Sequence, residues 1–329
     1  MAAEMNPPAA ASAFLTSAGW GNARIEPLTG DASFRRYFRV IDAGRRAVLM
    51  DAPPPHEDPR PFLRVARHLS AQGFAAPTIL AEDLDAGLVL LEDFGDARMR
   101  EMVDGGKVDE ATTYAAAVAL LAALHRQPPA TLPPYSRAEL QREAGLFIEW
   151  YCPAAGLTVD AESYRAAWDI VFDRIDNVAS VTVLRDYHAE NIMLRAGQEG
   201  HAHLGLLDFQ DALVGHPAYD LVSMLQDARR DVPTIIESSM LAEYQRIAHP
   251  GPDFAASYAI FGGQRNTKIL GIFTRLWQRD GKSRYLDFLP RVWSYLERDL
   301  ANPALAEVKS WFDTNVPAVK RGDCLKGSA

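Results

Sequence analysis

Val181-Thr-Val-Leu-Arg185-Asp186-Tyr-His-Ala-Glu-Asn191-Ile-Met-Leu194 is the stretch that decides the reading of this chain. An apolar run ends at Leu184, a polar segment follows, and a second apolar run opens at Ile192. After the turn Gly197–Gly200, a third run, Leu204–Leu207, ends on Asp208-Phe209-Gln210. Short apolar runs bounded by polar and glycine punctuation read as buried strands. Two carboxylates and one amide, Asp186, Asp208 and Asn191, therefore fall at strand ends. Each alone reads as a solvated loop residue or a strand cap. All three at this spacing read as a site.

The chemistry that such a trio fits is phosphoryl transfer. That reaction needs positioning, charge neutralisation and a base for the attacking hydroxyl, and little covalent help. Asp186 supplies the base. Asn191 and Asp208 supply hard oxygen donors of the kind Mg²⁺ prefers. The expected cofactors are ATP and Mg²⁺.

Outward from this segment the chain changes character twice. Upstream, Arg24–Leu28, Arg36–Ile41, Ala47–Met50, Ile79–Ala81 and Leu88–Leu91 read as strands, with a hairpin turn at Asp42-Ala43-Gly44. A short helix is expected over Ser12–Trp20, and another over Phe62–Gln72, entered through Pro59 and Pro61 and closed by Gly73. Beyond Glu92-Asp93-Phe94-Gly95, helical periodicity covers Val108–Arg126, Arg137–Trp150 and Asp160–Val178, and it resumes from Tyr219. The expected fold is α+β and bilobal. Residues 1–93 form a small β-rich lobe for the nucleotide, and residues 94–329 form a larger, mainly helical lobe with the catalytic loop and the acceptor site.

Composition narrows the partners. With 329 residues, 48% hydrophobic and 23% charged, the chain can bury one large or two mid-sized cores. A formal net charge of −9 argues against nucleic acid as a partner. Two cysteines, Cys152 and Cys324, form no disulfide framework and suit a reducing cytoplasm. The N-terminus lacks a basic segment followed by an apolar run, so no signal peptide is expected, and no run approaches membrane length. No obligate protein partner is evident.

The loop matches the kinase pattern R-D-x-x-x-x-N, and Asp208-Phe209 matches the metal-binding D-F that follows it. Gly215-His-Pro217-Ala-Tyr219-Asp220-Leu221 and Leu121-Ala-Ala-Leu-His125-Arg126 resemble segments of aminoglycoside phosphotransferase-like kinases. Leu28–Arg39, Leu49–Pro54, Leu91–Gly95 and Lys268–Leu276 look like the cell-wall sugar kinases of that superfamily. The resemblance covers nearly the whole chain. It implies phosphorylation of N-acetylmuramate and N-acetylglucosamine at the anomeric hydroxyl, in peptidoglycan recycling. That hydroxyl is more acidic than an ordinary alcohol, so a carboxylate of modest basicity suffices.

The chain departs from the protein-kinase pattern in one coherent way. Ala47-Val48-Leu49-Met50 carries no Lys, and Phe62–Gln72 carries no Glu, so the usual ion pair is missing as a pair. The phosphates then need other ligands. Gly30, with the amides of Ala32 and Ser33, and Arg35 or Arg36 are the candidates, and Glu92, Asp93 and Phe94 are expected to meet adenine.

For the acceptor, seven basic residues fall between Phe261 and Val292 against two acidic ones, Asp280 and Asp287. A basic stretch suits an acidic sugar better than a polycation. Gln264, Arg265 and Arg275 are candidate contacts, and Arg185, His188 and Asp211 are further ones near the loop. Two rivals stand beside this reading. One is phosphorylation of an aminoglycoside or another small alcohol, and the other is a nucleotide-binding module without catalysis.

Overall fold

The structure, a computed structural model, describes residues 6–28, 35–175 and 180–326. In chain order it contains α1 (Ala11–Ser17), β1 (Arg24–Leu28), β2 (Arg36–Asp42), β3 (Arg45–Asp51), α2 (Arg60–Ala71), β4 (Ile79–Asp83), β5 (Leu88–Glu92) and α3 (Met99–Asp104). Then follow α4 (Glu110–His125), α5 (Arg137–Leu146), α6 (Cys152–Ala154), α7 (Ala161–Phe172), β6 (Val181–Val183), β7 (Ile192–Leu194), β8 (Leu204–Leu206) and β9 (Leu213–Gly215). The remainder is helical: α8 (Ala218–Leu225), α9 (Thr234–Ala248), α10 (Phe254–Asp280), α11 (Leu289–Leu300) and α12 (Ala306–Asn315). Among the described residues no helix is long and apolar enough to cross a membrane.

Packing divides the chain into two compact units, residues 1–105 with 190–211, and residues 106–189 with 212–329. The division differs from a single cut after residue 93, because residues 190–211 pack with the N-terminal unit. There the β7–β8 hairpin is bonded to both flanks of its surroundings. Leu206 N–H donates to Ala75 O (2.8 Å) and Leu194 N–H to Ala97 O (2.7 Å).

The first unit is built on an antiparallel sheet of order β1-β2-β3-β5-β4. Period-two alternation puts Phe38, Val40, Ala47, Leu49, Leu88 and Leu90 on one face, where Phe14, Leu15 and Trp20 cover them. The β2–β3 hairpin closes through Ala43 and Gly44, both at positive φ (48° and 85°), the backbone that a tight two-residue hairpin needs. Position 47–50, where a kinase lysine is absent, is buried strand: Ala47, Leu49 and Met50 are fully covered.

The second unit is helical around α10, a helix of 27 residues. Side-chain caps define the starts of three other helices of this unit. Asp109 accepts from Thr112 N–H at α4, Ser136 from Glu139 N–H at α5, and Asp160 from Ser163 N–H at α7. The helix expected over Arg137–Trp150 stops being α-helical at Leu146 and widens into a π turn, Phe147–Tyr151. Close approach is the physical reason. A Cβ on Gly271 of α10 would stand 2.4 Å from the Leu146 carbonyl carbon and oxygen, so only glycine lets the helices cross there. The helix expected to reach Val178 ends at Phe172, and residues 176–179 lie outside the described residues. Cys152 is a packed small hydrophobe, 1% exposed, its thiol pushed up to about 12 by burial.

Two histidines of this unit, the buried His216 and the partly buried His125, contribute stability that depends on pH. His125 Nδ1 pairs with Tyr244 Oη (2.7 Å), and His216 Nδ1 accepts from Ala218 N–H (3.0 Å). Burial pushes His125 down to about 3, with His216 adding to it, and pushes His216 down to about 4. Both are neutral in the fold, while the unfolded chain takes up protons below about 6.5. The share of stability that these two histidines contribute is therefore fully present above about pH 6.5 and is lost as pH drops toward the folded values, while Asp220 and Asp299, pushed up by burial to about 7 and about 8, act in the opposite direction. Between pH 7.5 and 5.5 the two together should cost roughly 2–3 kcal/mol. Urea unfolding at the two pH values checks this. Over that interval wild type should lose that much more stability, or gain that much less, than H125Q/H216Q, and an identical pH response in the two would exclude the histidines.

Candidate active site

The segment that carries Asp186 lies in the helical unit. β6 pairs antiparallel with β9, Val181 opposite Gly215 and Val183 opposite Leu213, and delivers the chain to Leu184. The carboxylate of Asp220, on α8 and fully buried, accepts from Leu184 N–H (2.6 Å) and Arg185 N–H (2.8 Å). Burial pushes Asp220 up to about 7, opposed by those two N–H donors. Arg185 sits at φ 70°, left-handed backbone that costs a non-glycine residue about 1–2 kcal/mol. Its guanidinium is ion-paired to Glu143 and lies over the Tyr135 ring, 5.5 Å from the centroid.

Asp186 follows, its side chain 43% exposed and 3.9 Å from Arg265 Nη2. Desolvation raises its carboxyl, but His188 when protonated, then Arg265, Lys268 and Arg185 outweigh it and hold the group below the usual range. His188 is itself buried and pushed down to about 4, mainly by desolvation, so at neutral pH the fixed cations carry the effect. An ionised, half-exposed carboxylate beside a guanidinium can accept a proton from a hydroxyl.

Asn191 and Asp208 lie in the N-terminal unit, flanking the β7–β8 hairpin. Asn191 closes a 3-10 turn, Ala189–Asn191, just before β7, and Asp208 follows β8. Leu207 N–H donates to Asn191 O (2.9 Å), which fixes the two ends together. Asn191 Nδ2 donates to Asp208 Oδ2 (3.3 Å), and Gln210 Nε2 donates to Asp208 Oδ1 (2.8 Å). Asp208 is at φ 58°, a second left-handed non-glycine position. Phe209 is buried and stacks on Phe62 of α2, centroids 4.9 Å apart. The donor set fits Mg²⁺ in kind. Two adjacent side chains each carry an oxygen donor, Asn191 after turning its amide oxygen inward, and Mg²⁺ is commonly held by one or two carboxylates while phosphates and water complete the shell.

The remaining sequence candidates fall as follows. Gly30, Ala32 and Ser33 lie outside the described residues. Arg35 pairs with Glu57 (3.3 Å), and Arg36 donates through Nε and Nη2 to the buried Asp51 carboxylate (2.8 and 2.5 Å). Glu92 accepts from Thr78 Oγ1 (2.7 Å) and Arg195 Nη2 (2.7 Å), and Asp93 accepts from Arg39 Nε (2.7 Å). Phe94 lies under the Arg195 guanidinium, 4.6 Å from the centroid, and packs where a Cβ on Gly205 would stand 2.6 Å from its ring.

Gln264 is fully buried and donates to Leu140 O (3.2 Å). Arg265 is 4% exposed and donates to Ser223 Oγ (2.8 Å), and its Nε and Nη1 have no hydrogen-bond partner among the described residues. Arg275 is partly buried on the same helix, its pKa lowered by desolvation and by Arg279. Asp211 lies next to Gln210, whose Nε2 reaches its carboxylate at 3.5 Å.

Two residues escaped the sequence reading. Asp220 stood inside a quoted motif without a role. Glu143 stood in no motif. Its signal was a carboxylate on the apolar face of α5, in helical register with Leu140, Ala144 and Phe147.

The fold is kinase-like. The choline kinase LicA from Streptococcus pneumoniae matches with a TM-score of 0.60 at 16% identity, over 86% of this chain and 93% of its own. ADP-bound aminoglycoside phosphotransferase APH(2'')-Ib matches with a TM-score of 0.56 at 13% identity, over 83% of this chain and 92% of its own. The chain belongs to the phosphotransferase enzyme family, whose sequence profile matches residues 24–258. It is similar to the N-acetylmuramate/N-acetylglucosamine kinase of Caulobacter vibrioides, 38% identical over 95% of this chain and 98% of that protein. It is also similar to the Pseudomonas aeruginosa protein of the same name, 40% identical over 88% and 89%.

Proposed function

We propose that this protein is an ATP-dependent kinase that phosphorylates the anomeric hydroxyl of N-acetylmuramate and N-acetylglucosamine, in the reuse of cell-wall sugars in the cytoplasm. The observation that carries the reading is near-full-length similarity, 38% identical over 95% of the chain, to a kinase named for those two sugars. The loop residues support it chemically. Asp186 takes the proton from the sugar hydroxyl. Asn191 and Asp208 hold Mg²⁺, which when bound neutralises charge on the transferring phosphate. Glu92, Asp93 and Phe94 contribute the segment that meets adenine. Gly30, Ala32, Ser33 and Arg35 address the phosphates. Arg36 is the weaker of the two arginines for that role, because the buried Asp51 engages it.

Among the basic residues of α10, Arg265 is the one suited to an acidic acceptor. It is buried, stands 3.9 Å from Asp186 and keeps two N–H donors unsatisfied by the described residues. A buried guanidinium in that condition gains from a carboxylate such as the lactyl group of N-acetylmuramate. R265M should raise KM for N-acetylmuramate about 10–100-fold, the worth of one charged hydrogen bond, and change that for N-acetylglucosamine less than about threefold. Equal losses for both sugars would remove Arg265 from carboxylate recognition.

The test of the whole reading is ATP turnover with N-acetylmuramate, N-acetylglucosamine and kanamycin, followed by phosphorus NMR of the product. A sugar 1-phosphate is expected. Turnover with kanamycin alone would favour an antibiotic acceptor, and ATP binding without turnover would favour a non-catalytic module.

A further inference from the structure

Glu143 is 1% exposed, yet nothing in the proposed reaction uses it. Its carboxylate accepts from four side chains. Tyr135 Oη and Arg185 Nη2 make short contacts, Lys268 Nζ stands at 2.7 Å, and Gln264 Nε2 at 3.5 Å. Lys268 also donates to Tyr219 Oη (3.2 Å). One buried anion thus faces two partly buried cations, with the exposed Arg142 Nη2 farther off at 3.9 Å, and the net direction of its pKa is downward. Desolvation opposes ionisation, while Lys268 and then Arg185 overcome it.

The two cations lead to the base by different routes. Arg185 immediately precedes Asp186 and sits in left-handed backbone. Asp220 holds the loop through the N–H groups of Leu184 and Arg185, so its grip ends at the amino side of Arg185. Glu143 grips the same residue by its side chain. Lys268 lies three residues after Arg265 on α10, on one helical face. The same carboxylate therefore bears on the peptide that carries Asp186 and on the helix face that carries Arg265.

We propose that Glu143 is a positioning residue that sets Asp186 and Arg265 in register by tying Arg185 to Lys268, an inference that rests on Asp186 being the base. A charge-balancing role alone would affect folding and leave turnover per folded molecule intact. A misplacement of about 1 Å can cost up to about a hundredfold in rate, so a positioning role shows in kcat.

The experiment compares E143Q, R185K and the double variant in ATP turnover with N-acetylmuramate, beside amide hydrogen exchange of residues 183–188 and of α10. Expected are a loss of about tenfold or more in kcat for each single variant, KM for ATP within about twofold of wild type, and a double variant no worse than the poorer single one. Exchange in 183–188 should rise in E143Q while α10 keeps its protection. A kcat within about twofold of wild type, fully additive losses, or unchanged exchange in 183–188 would each overturn the proposal. If E143Q does not fold, R185K decides alone, since it keeps a cation against Glu143 and leaves Lys268 in place. If the wild type turns over no sugar, the acceptor assignment fails, and the exchange arm still decides the role of Glu143.

Discussion

D186N should lower kcat about 10²–10⁴-fold, the range spanned by a lost general base, while KM for ATP stays within about twofold. The direction follows from the structure as well as the motif. The carboxylate is held ionised by Arg265, Lys268 and Arg185, and asparagine offers no site for the proton. Folding should be unaffected. The side chain is 43% exposed, so water can take over what the carboxylate holds. Steady-state kinetics with a thermal scan checks both halves. Residual kcat above about a tenth of wild type would mean that another group takes the proton.

D220A should fail in the opposite way, through stability first. Its two oxygens are the acceptors for Leu184 and Arg185 N–H, and the site is fully buried. Each orphaned buried donor costs about 1–3 kcal/mol, so the pair costs roughly 2–6 kcal/mol against a typical total of about 5–15. D220N keeps one acceptor and turns an amide toward the other N–H, so it should be the milder variant. Urea unfolding measures the difference. A D220A loss below about 1 kcal/mol would show that the loop amides find other partners.

The contrast between these residues explains what the sequence could tell. The placement of Asp186, Asn191 and Asp208 beside strand ends is legible because short apolar runs with polar punctuation mark the strands that they flank. The strands of the first sheet were legible because period-two alternation survives in Phe38, Val40, Ala47 and Leu49. Asp220 and Glu143 were not, because their partners lie 35 and 42 positions away, and no local pattern announces a contact at that range. The same holds for the end of α5. Propensity carries a helix to Trp150, and only the backbone of a distant glycine, Gly271, turns it into a π turn. Among the seven cations near the C-terminus, charge count could not separate roles. Burial does so: Arg265 is covered beside Asp186, and Arg279 is spent on its neighbour Asp280.

The return of residues 190–211 to the N-terminal unit has a practical consequence for dissecting this protein. A fragment ending at Gly105 would be missing the partner that Phe62 stacks on and the amides that meet the carbonyls of Ala75 and Ala97. Cutting the gene at an apparent boundary would remove an internal piece of that body, so its half cannot be expressed whole as one uninterrupted stretch of the natural sequence. A faithful minimal version would have to splice the 190–211 hairpin back on through an artificial linker.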